Sequence, residues 1–409
     1  MERYPRKARQ DDASSNSHTY NCYADYGIRQ FPAIINELVV QSLSKIRSDR
    51  PGAEICPAIS LRQKIENESK LMTVESLIVD VLREGYGIRD FRIVSEHYGS
   101  QSRVWRLRAN NQDFGLRQTR DLKDERLSSY CRLTHLLKEN GIHVTYPIET
   151  VNGKSFLRQA GNSYVLCNWI DGVAARDRQL SIDDAQSLGR LLAKIHQVLA
   201  GFNELLPLPK SEYTYDVDTI NDIKRLIAVV DAKNEKSKYD QAVHNDLKYK
   251  YAVLVSRKES SDLLAPLYAE CQLVHGDLNW GNIVYTSDGQ FAGLIDLDTF
   301  RYAPRMCDIV KTCMLTFNAN SSYCIQFLSG YHQINPLHPT EIDAFYSLAT
   351  NYMLKNIWGY REYLVNGNLH TCLNDTVQNY KLLVKDEPEY RELSGRLAFS
   401  ILQRALDRC

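Results

Sequence analysis

His275-Gly276-Asp277-Leu278-Asn279-Trp280-Gly281-Asn282, followed by Ile295-Asp296-Leu297-Asp298, is the stretch on which the fold turns. Ile283-Val284-Tyr285 and Phe291-Ala292-Gly293-Leu294-Ile295 have the β-branched and aromatic composition of two short strands, and Ser287-Asp288-Gly289 between them is a turn. Such a hairpin places Asn282 at the start of one strand and Asp296 at the end of the other, side by side at one cleft. Leu273 and Val274 add a preceding strand, and Gly276 and Gly281 let the backbone turn tightly around the polar residues. An aspartate, an asparagine and a second aspartate so spaced suit phosphoryl transfer from a metal-bound nucleotide. In such a set one carboxylate can orient a hydroxyl and accept its proton, while an amide oxygen and another carboxylate can hold Mg2+ against the phosphates.

These residues resemble the aminoglycoside phosphotransferase and choline kinase group of small-molecule kinases, whose members carry H-G-D-x-x-x-x-N and a later I-D-x-D. The resemblance implies an α+β, bilobal protein-kinase-like fold with a small antiparallel β N-lobe and a larger, mainly helical C-lobe. It implies Asp277 as catalytic base with His275 supporting the loop, Asn282 and Asp296 as metal ligands, and Asp298 assisting them. ATP and Mg2+ are the implied cofactors, and a small-molecule hydroxyl is the implied substrate.

Upstream, Leu188, Leu191, Leu192, Ile195, Val198 and Leu199 line one face of a helix, with Ser181 and Asp184 as its N-terminal cap. This helix is similar to the family's L-A-x-x-H element, which makes His196 a packed, hydrogen-bonded residue. Tyr164-Val165-Leu166-Cys167 reads as a strand running into Asn168-Trp169-Ile170-Asp171-Gly172. The resemblance makes this the link between lobes, with backbone groups of Cys167 to Trp169 against the adenine ring.

Ile93-Val94-Ser95, Val104 to Arg108 and Asp113 to Arg117 read as three antiparallel strands. The loop Gly99-Ser100-Gln101-Ser102 between the first two is either a phosphate cover, with Ser100 at its centre, or an ordinary hairpin loop. Arg117 stands where the family offers a lysine to the nucleotide phosphates, and a guanidinium is larger and differently directed than an ammonium. The next helix, with Leu127, Cys131, Thr134 and Leu137 inward and Gly141 as its stop, would present a glutamate to that cation. Tyr130 holds the expected place, and Glu125 one turn earlier is the substitute.

This mixture, with Tyr86-Gly87-Ile88 and a tyrosine-rich chain, is most similar to the CotS-like spore coat branch of the family. Two functions follow from the resemblance: an ATP-dependent phosphotransferase associated with the coat, or a catalytically degenerate kinase-fold structural protein of the coat, with other coat proteins as partners. It spans roughly residues 75 to 365.

Lysine plus arginine equals aspartate plus glutamate at 50 each over 409 residues, so charge gives no reason to expect nucleic acid as a partner. No apolar run reaches the roughly 20 residues that span a bilayer, and the charged start holds no secretory core, so a cytoplasmic protein is expected. Ten cysteines show no C-x-x-C pair and read as small buried residues, with Cys22 and Cys409 as candidates for cross-linking in a coat. The expected organisation is an N-terminal extension over 1–73, the N-lobe and link over 74–170, and the helical C-lobe over 171–409.

Within the extension, Ile34 to Ile46 suits one helix, and Tyr26 to Phe31 echoes Tyr86 to Phe91. Asp231 to Lys238 reads as a solvated connection. His244-Asn245-Asp246 imitates the catalytic His-x-Asp on a helix surface without a following asparagine. Ile342 to Val365 reads as one long helix whose Trp358, Tyr360 and Tyr363 either border a substrate pocket or finish the core.

Overall fold

The computed structural model describes residues 74–98, 102–119, 123–210, 217–256 and 264–367. The expected helix at Ile34 to Ile46, the echo at Tyr26, Cys22, Cys409 and the centre of the Gly99 to Ser102 loop lie outside them.

The chain opens with α1 (Val74–Asp80), which continues as a wider turn over Val81–Gly85. Then come β1 (Arg92–Tyr98), β2 (Ser102–Ala109), β3 (Gln112–Thr119), α2 (Asp124–Glu139), β4 (Leu157–Gln159) and β5 (Asn162–Asn168). These strands form one antiparallel sheet in the order β1-β2-β3-β5-β4. Asn110 and Asn111, both at positive φ (51° and 60°), make the two-residue turn joining β2 and β3, a conformation asparagine tolerates better than most residues. The period of two sorts the side chains. Trp105, Leu107, Leu116, Tyr164 and Leu166 pack with Ile78, Val81 and Leu82 on one face. Val165 and Cys167 turn to the other, where they join Leu127, Tyr130 and Cys131 of α2.

Beyond β5 the chain is mainly helical. β6 (Val173–Ala174) leads to α3 (Ile182–Ala200), α4 (Val217–Asp231), α5 (Lys238–Ser256) and α6 (Ala265–Ala269). β7 (Gln272–Val274), β8 (Ile283–Tyr285), β9 (Phe291–Leu294) and β10 (Arg301–Ala303) follow, then α7 (Met306–Leu315), α8 (Ser321–Ile334), α9 (Pro339–Asp343), α10 (Phe345–Lys355) and α11 (Trp358–Asn366). The short strands make a three-stranded sheet, β6-β8-β9, and the pair β10-β7. This is the α+β kinase-like architecture expected from the sequence, a small antiparallel sheet followed by a helical part.

Ser181 caps α3 through a full capping box with Asp184, as its sequence promised. α3 crosses α8 at two glycines. A Cβ on Gly189 would lie 1.9 Å from the Phe327 carbonyl oxygen, and one on Gly330 would lie 2.0 Å from that of Gln186, so the two backbones touch and no side chain fits between them.

The long helix expected over Ile342 to Val365 is instead three. α9 starts at Pro339 under a His338 and Glu341 capping box, and the chain leaves the helix again at Asn356 (ψ 93°). Lys250 of α5, 2 % exposed, explains how that break is tolerated: its ammonium donates to the Met353 carbonyl and, at 3.4 Å, to that of Asn356. Carbonyls freed at a helix end are thereby satisfied. Tyr360 and Tyr363 are buried in the core formed by α4, α5 and α11, whereas Trp358 is half-exposed. His244-Asn245-Asp246 does lie in a helix, α5, with Asn245 exposed and His244 partly covered, but Asp246 is buried, and its charge favours the ammonium of Lys250. The periodicity of α5 is too weak for sequence alone to tell its inner face from its outer one. Asp231 to Lys238 is the expected connection, between α4 and α5.

Candidate functional site

β8 and β9 pair with Ile283 opposite Leu294, and the N–H of Ile295 donates to the carbonyl of Asn282 at 3.0 Å. Asn282 and Asp296 therefore flank the same end of one hairpin, the juxtaposition the sequence pointed to. Asp296 has φ 57°, a left-handed conformation that costs a non-glycine residue about 1 to 2 kcal/mol. Such strain persists where the surroundings over-determine a side-chain direction.

The loop before the hairpin is anchored from within and from α7. The Asp277 N–H donates to His275 Nδ1 at 3.1 Å, and Asn282 Nδ2 donates to the Asp277 carbonyl at 2.9 Å and to its Oδ2 at 3.3 Å. With that nitrogen committed to Asp277, the amide oxygen of Asn282 is the atom left for a cation. Gly276 has φ 84°, and a Cβ there would sit 2.2 Å from the Thr299 carbonyl oxygen, so only glycine fits. His275 is fully buried, and burial lowers its affinity for a second proton. Nδ1 accepts a bond, so the ring proton sits on Nε2; the ring supports the loop from below.

α7 supplies residues that the motif did not reveal. The buried carboxylate of Asp308 accepts the N–H groups of His275 and Gly276, both at 2.8 Å, and His196 Nε2 at 3.1 Å. His196 Nδ1 in turn meets the Tyr331 hydroxyl at 2.7 Å, which makes this histidine a hydrogen-bonded core residue. Burial alone would raise the Asp308 carboxyl, but the hydrogen bonds from His196 and the Gly276 N–H, with the nearby imidazoles, bring it below the ordinary range. One helical turn further, Lys311 Nζ lies 2.7 Å from Asp277 Oδ1 and donates to the Gly276 carbonyl at 2.8 Å. Thr312 Oγ1 donates to the Leu278 carbonyl at 2.9 Å. Residues 308, 311 and 312 share one helix face by the i, i+3, i+4 rule, and that face grips the loop. The available sequence signal was three polar residues inside the otherwise apolar run Met306 to Leu315.

Across the cleft, Arg117 projects from β3 on the face opposite Leu116. Its guanidinium lies 2.5 Å from Asp298 Oδ2 and 3.4 Å from Asp296 Oδ1. These two carboxylates keep it protonated against the effect of burial. The partner expected on α2 is not used: Tyr130 is buried with its hydroxyl 3.8 Å from Cys167 Sγ, and Glu125 is exposed to solvent. Asp298 takes that place, and its carboxylate faces Arg117. Arg117 Nε is buried with no hydrogen-bond partner among the described residues. Burial, the Asp298 charge and, less, Asp277 raise the Asp296 carboxyl to about 6, with Arg117 opposing them.

Cys167 pairs with Gly115 in the sheet and is bridged by Pro147, its thiol buried. The Trp169 indole lies under the sheet: a Cβ on Gly115 would be 3.5 Å from its Cε3. Arg106 sits 5.0 Å from the ring centroid, and the indole N–H donates to Asp171 at 3.2 Å. The ring thus occupies the cleft side of β3 two residues from Arg117. Ser100 lies outside the described residues.

With this geometry in place, comparison with known proteins is informative. Residues 96–345 match the family model described as the phosphotransferase enzyme family. No curated protein sequence matches the chain. Among solved structures, a spectinomycin phosphotransferase crystallised with ADP and spectinomycin has a TM-score of 0.56 at 18 % identity, over 78 % of this chain and 97 % of that one. An amicoumacin kinase in complex with AMP-PNP and Ca2+ has a TM-score of 0.52 at 15 % identity, over 81 % of this chain and 95 % of that one. A microcompartment-associated aminopropanol kinase reaches 0.51 at 15 % identity, over 81 % and 98 %.

Proposed function

The chain belongs to the phosphotransferase enzyme family, and we propose that it transfers the γ-phosphate of ATP to a hydroxyl group of a small molecule. The observation that carries this reading is the hairpin that sets Asn282 beside Asp296, with Asp277 hydrogen-bonded to Asn282.

The donor set fits Mg2+, a hard cation held by one or two carboxylates together with substrate phosphates. The amide oxygen of Asn282 and the carboxylate of Asp296 would hold it. When bound, the metal neutralises developing charge on the phosphates.

In the transfer itself, Asp277 takes the proton of the acceptor hydroxyl. That oxygen bonds to the γ-phosphorus, the bond from phosphorus to the β-bridging oxygen breaks, and ADP leaves with the electron pair. Arg117 is the phosphate clamp, and Asp298 fixes its outer nitrogen, which makes Asp298 a holder of the clamp more than a metal ligand. Trp169 and Cys167 line the base end.

A place in a spore coat, whether for an enzyme or for a degenerate scaffold, rests on the sequence resemblance. The pairing of Arg117 with Asp298 favours catalysis, since it supplies the anionic partner that Tyr130 cannot. Titration of the purified protein with ATP, with and without Mg2+, tests the proposal. Binding should require Mg2+ and vanish in Asp296→Ala; unaltered binding in that variant would remove the assignment.

A further inference from the structure

Resting on the reading above, we infer that Lys311 is a positioning residue of the transfer centre, whose ammonium holds one carboxylate oxygen of Asp277 so that the other is presented to the acceptor hydroxyl. Three observations carry this. Lys311 Nζ lies 2.7 Å from Asp277 Oδ1, and both side chains are mostly covered, at 15 % and 22 % exposure. The same nitrogen donates to the Gly276 carbonyl at 2.8 Å, so two of its three protons are committed to neighbouring residues of the loop. Its Cα rides on α7 between Asp308 and Thr312, both of which bind the loop backbone, so the lysine cannot drift independently of the loop it serves.

The consequence is a division of labour between the carboxylate oxygens. Oδ1 belongs to Lys311. Oδ2 has only a 3.3 Å contact with Asn282 Nδ2 and is the oxygen that receives the proton when the acceptor O–H breaks. Lys311 gives and takes no proton in that step. It also supplies the positive charge beside the base, which the loop itself lacks: Asn279, two residues after Asp277, is neutral and spends its side-chain oxygen on the Gly281 N–H at 2.8 Å. Without Lys311, the cations left near the carboxylates are Arg117 and Arg126, which lie at Asp296 and Asp298, and an anionic phosphoryl group would meet an uncompensated Asp277.

The test compares Lys311→Met, Lys311→Arg and Asp277→Asn with the wild type, following ADP release from Mg2+-ATP with water as acceptor, Mg2+-ADP affinity and urea unfolding. A general base contributes about 10²- to 10⁴-fold to such a step, and misplacing it should forfeit a part of that. The expected result for Lys311→Met is a fall in kcat of roughly 10- to 100-fold, with KM for Mg2+-ATP and affinity for Mg2+-ADP within about threefold and the unfolding transition still cooperative. Lys311→Arg should recover much of the loss. Wild-type kcat in Lys311→Met overturns the inference, as does equal damage in both Lys311 variants accompanied by lost Mg2+-ADP binding, the mark of a scaffold residue. If Asp277→Asn turns over like the wild type, or the wild type releases no ADP, the phosphotransfer reading itself falls and takes the inference with it.

Discussion

Asp308→Asn should uncouple the loop 275–282 from the helical core while leaving the volume of the side chain unchanged. The wild-type carboxylate accepts at both oxygens: Gly276 N–H at Oδ1, and His275 N–H with His196 Nε2 at Oδ2. An amide turns one of those acceptors into a donor, whichever way it is oriented. The cheaper orientation points NH2 at Gly276, loses one charge-assisted hydrogen bond and leaves a buried backbone N–H facing another donor. Bonds to charged groups contribute about 1.5 to 3 kcal/mol, and an unsatisfied buried donor costs about 1 to 3 kcal/mol, so a loss of about 3 to 5 kcal/mol is expected. Against a total of about 5 to 15 kcal/mol this is large. Urea unfolding at pH 7 measures it, and ADP release well below the transition temperature reports on the loop. Acid sharpens the test, because a carboxylate depressed in the fold contributes stability above its unfolded pKa near 4 and loses it as pH falls through the folded value. The wild type should therefore weaken on acidification by an increment that Asp308→Asn lacks. A stability change under about 1 kcal/mol, within the range of an ordinary surface substitution, or undiminished turnover would refute the anchoring argument.

Asp296→Asn should raise the melting temperature of the nucleotide-free protein and abolish Mg2+-dependent ATP binding, since asparagine tolerates φ 57° better and removes a charge opposed by Asp298 and Asp277; a lower melting temperature would count against the strain. Gly189→Ala should cost about 3 kcal/mol or more, because its Cβ meets a backbone carbonyl at 1.9 Å, and unchanged urea stability would contradict the close helix crossing. Burial lowers Lys250 to about 7 from an unfolded value of 10.5, so the unfolded chain binds the extra proton between those limits and wild-type stability falls as pH drops from 10 to 7. The melting temperature of Lys250→Met minus that of the wild type should accordingly grow over that range, and a pH-independent difference would show that the ammonium is not shielded. Ser181→Ala should cost about 1 kcal/mol by removing the capping box of α3.

The hairpin and its loop were legible from sequence because short strands with a Ser-Asp-Gly turn have few alternatives, and their register fixes which polar residues meet. The same holds for α3, whose apolar stripe and Ser181 cap are local signals. What sequence could not show lies in contacts distant along the chain. Asp308, Lys311 and Thr312 reach a loop about 30 residues earlier, and nothing local marks a buried aspartate as an anchor for someone else's N–H groups. Asp298 as the partner of Arg117 depends on how β3 faces the loop after β9, and motif spacing pointed to α2 instead. The break at Asn356 was hidden for a similar reason: the lysine that satisfies the freed carbonyls comes from α5.

The proposed base, both proposed cation ligands and Lys311 all fall between residues 275 and 312, while Arg117 reaches in from the sheet. Chemistry held in so short a cassette depends on few elements, so changes confined to α4, α5 and α11, which pack in a core of their own, should leave the loop and its anchors in place.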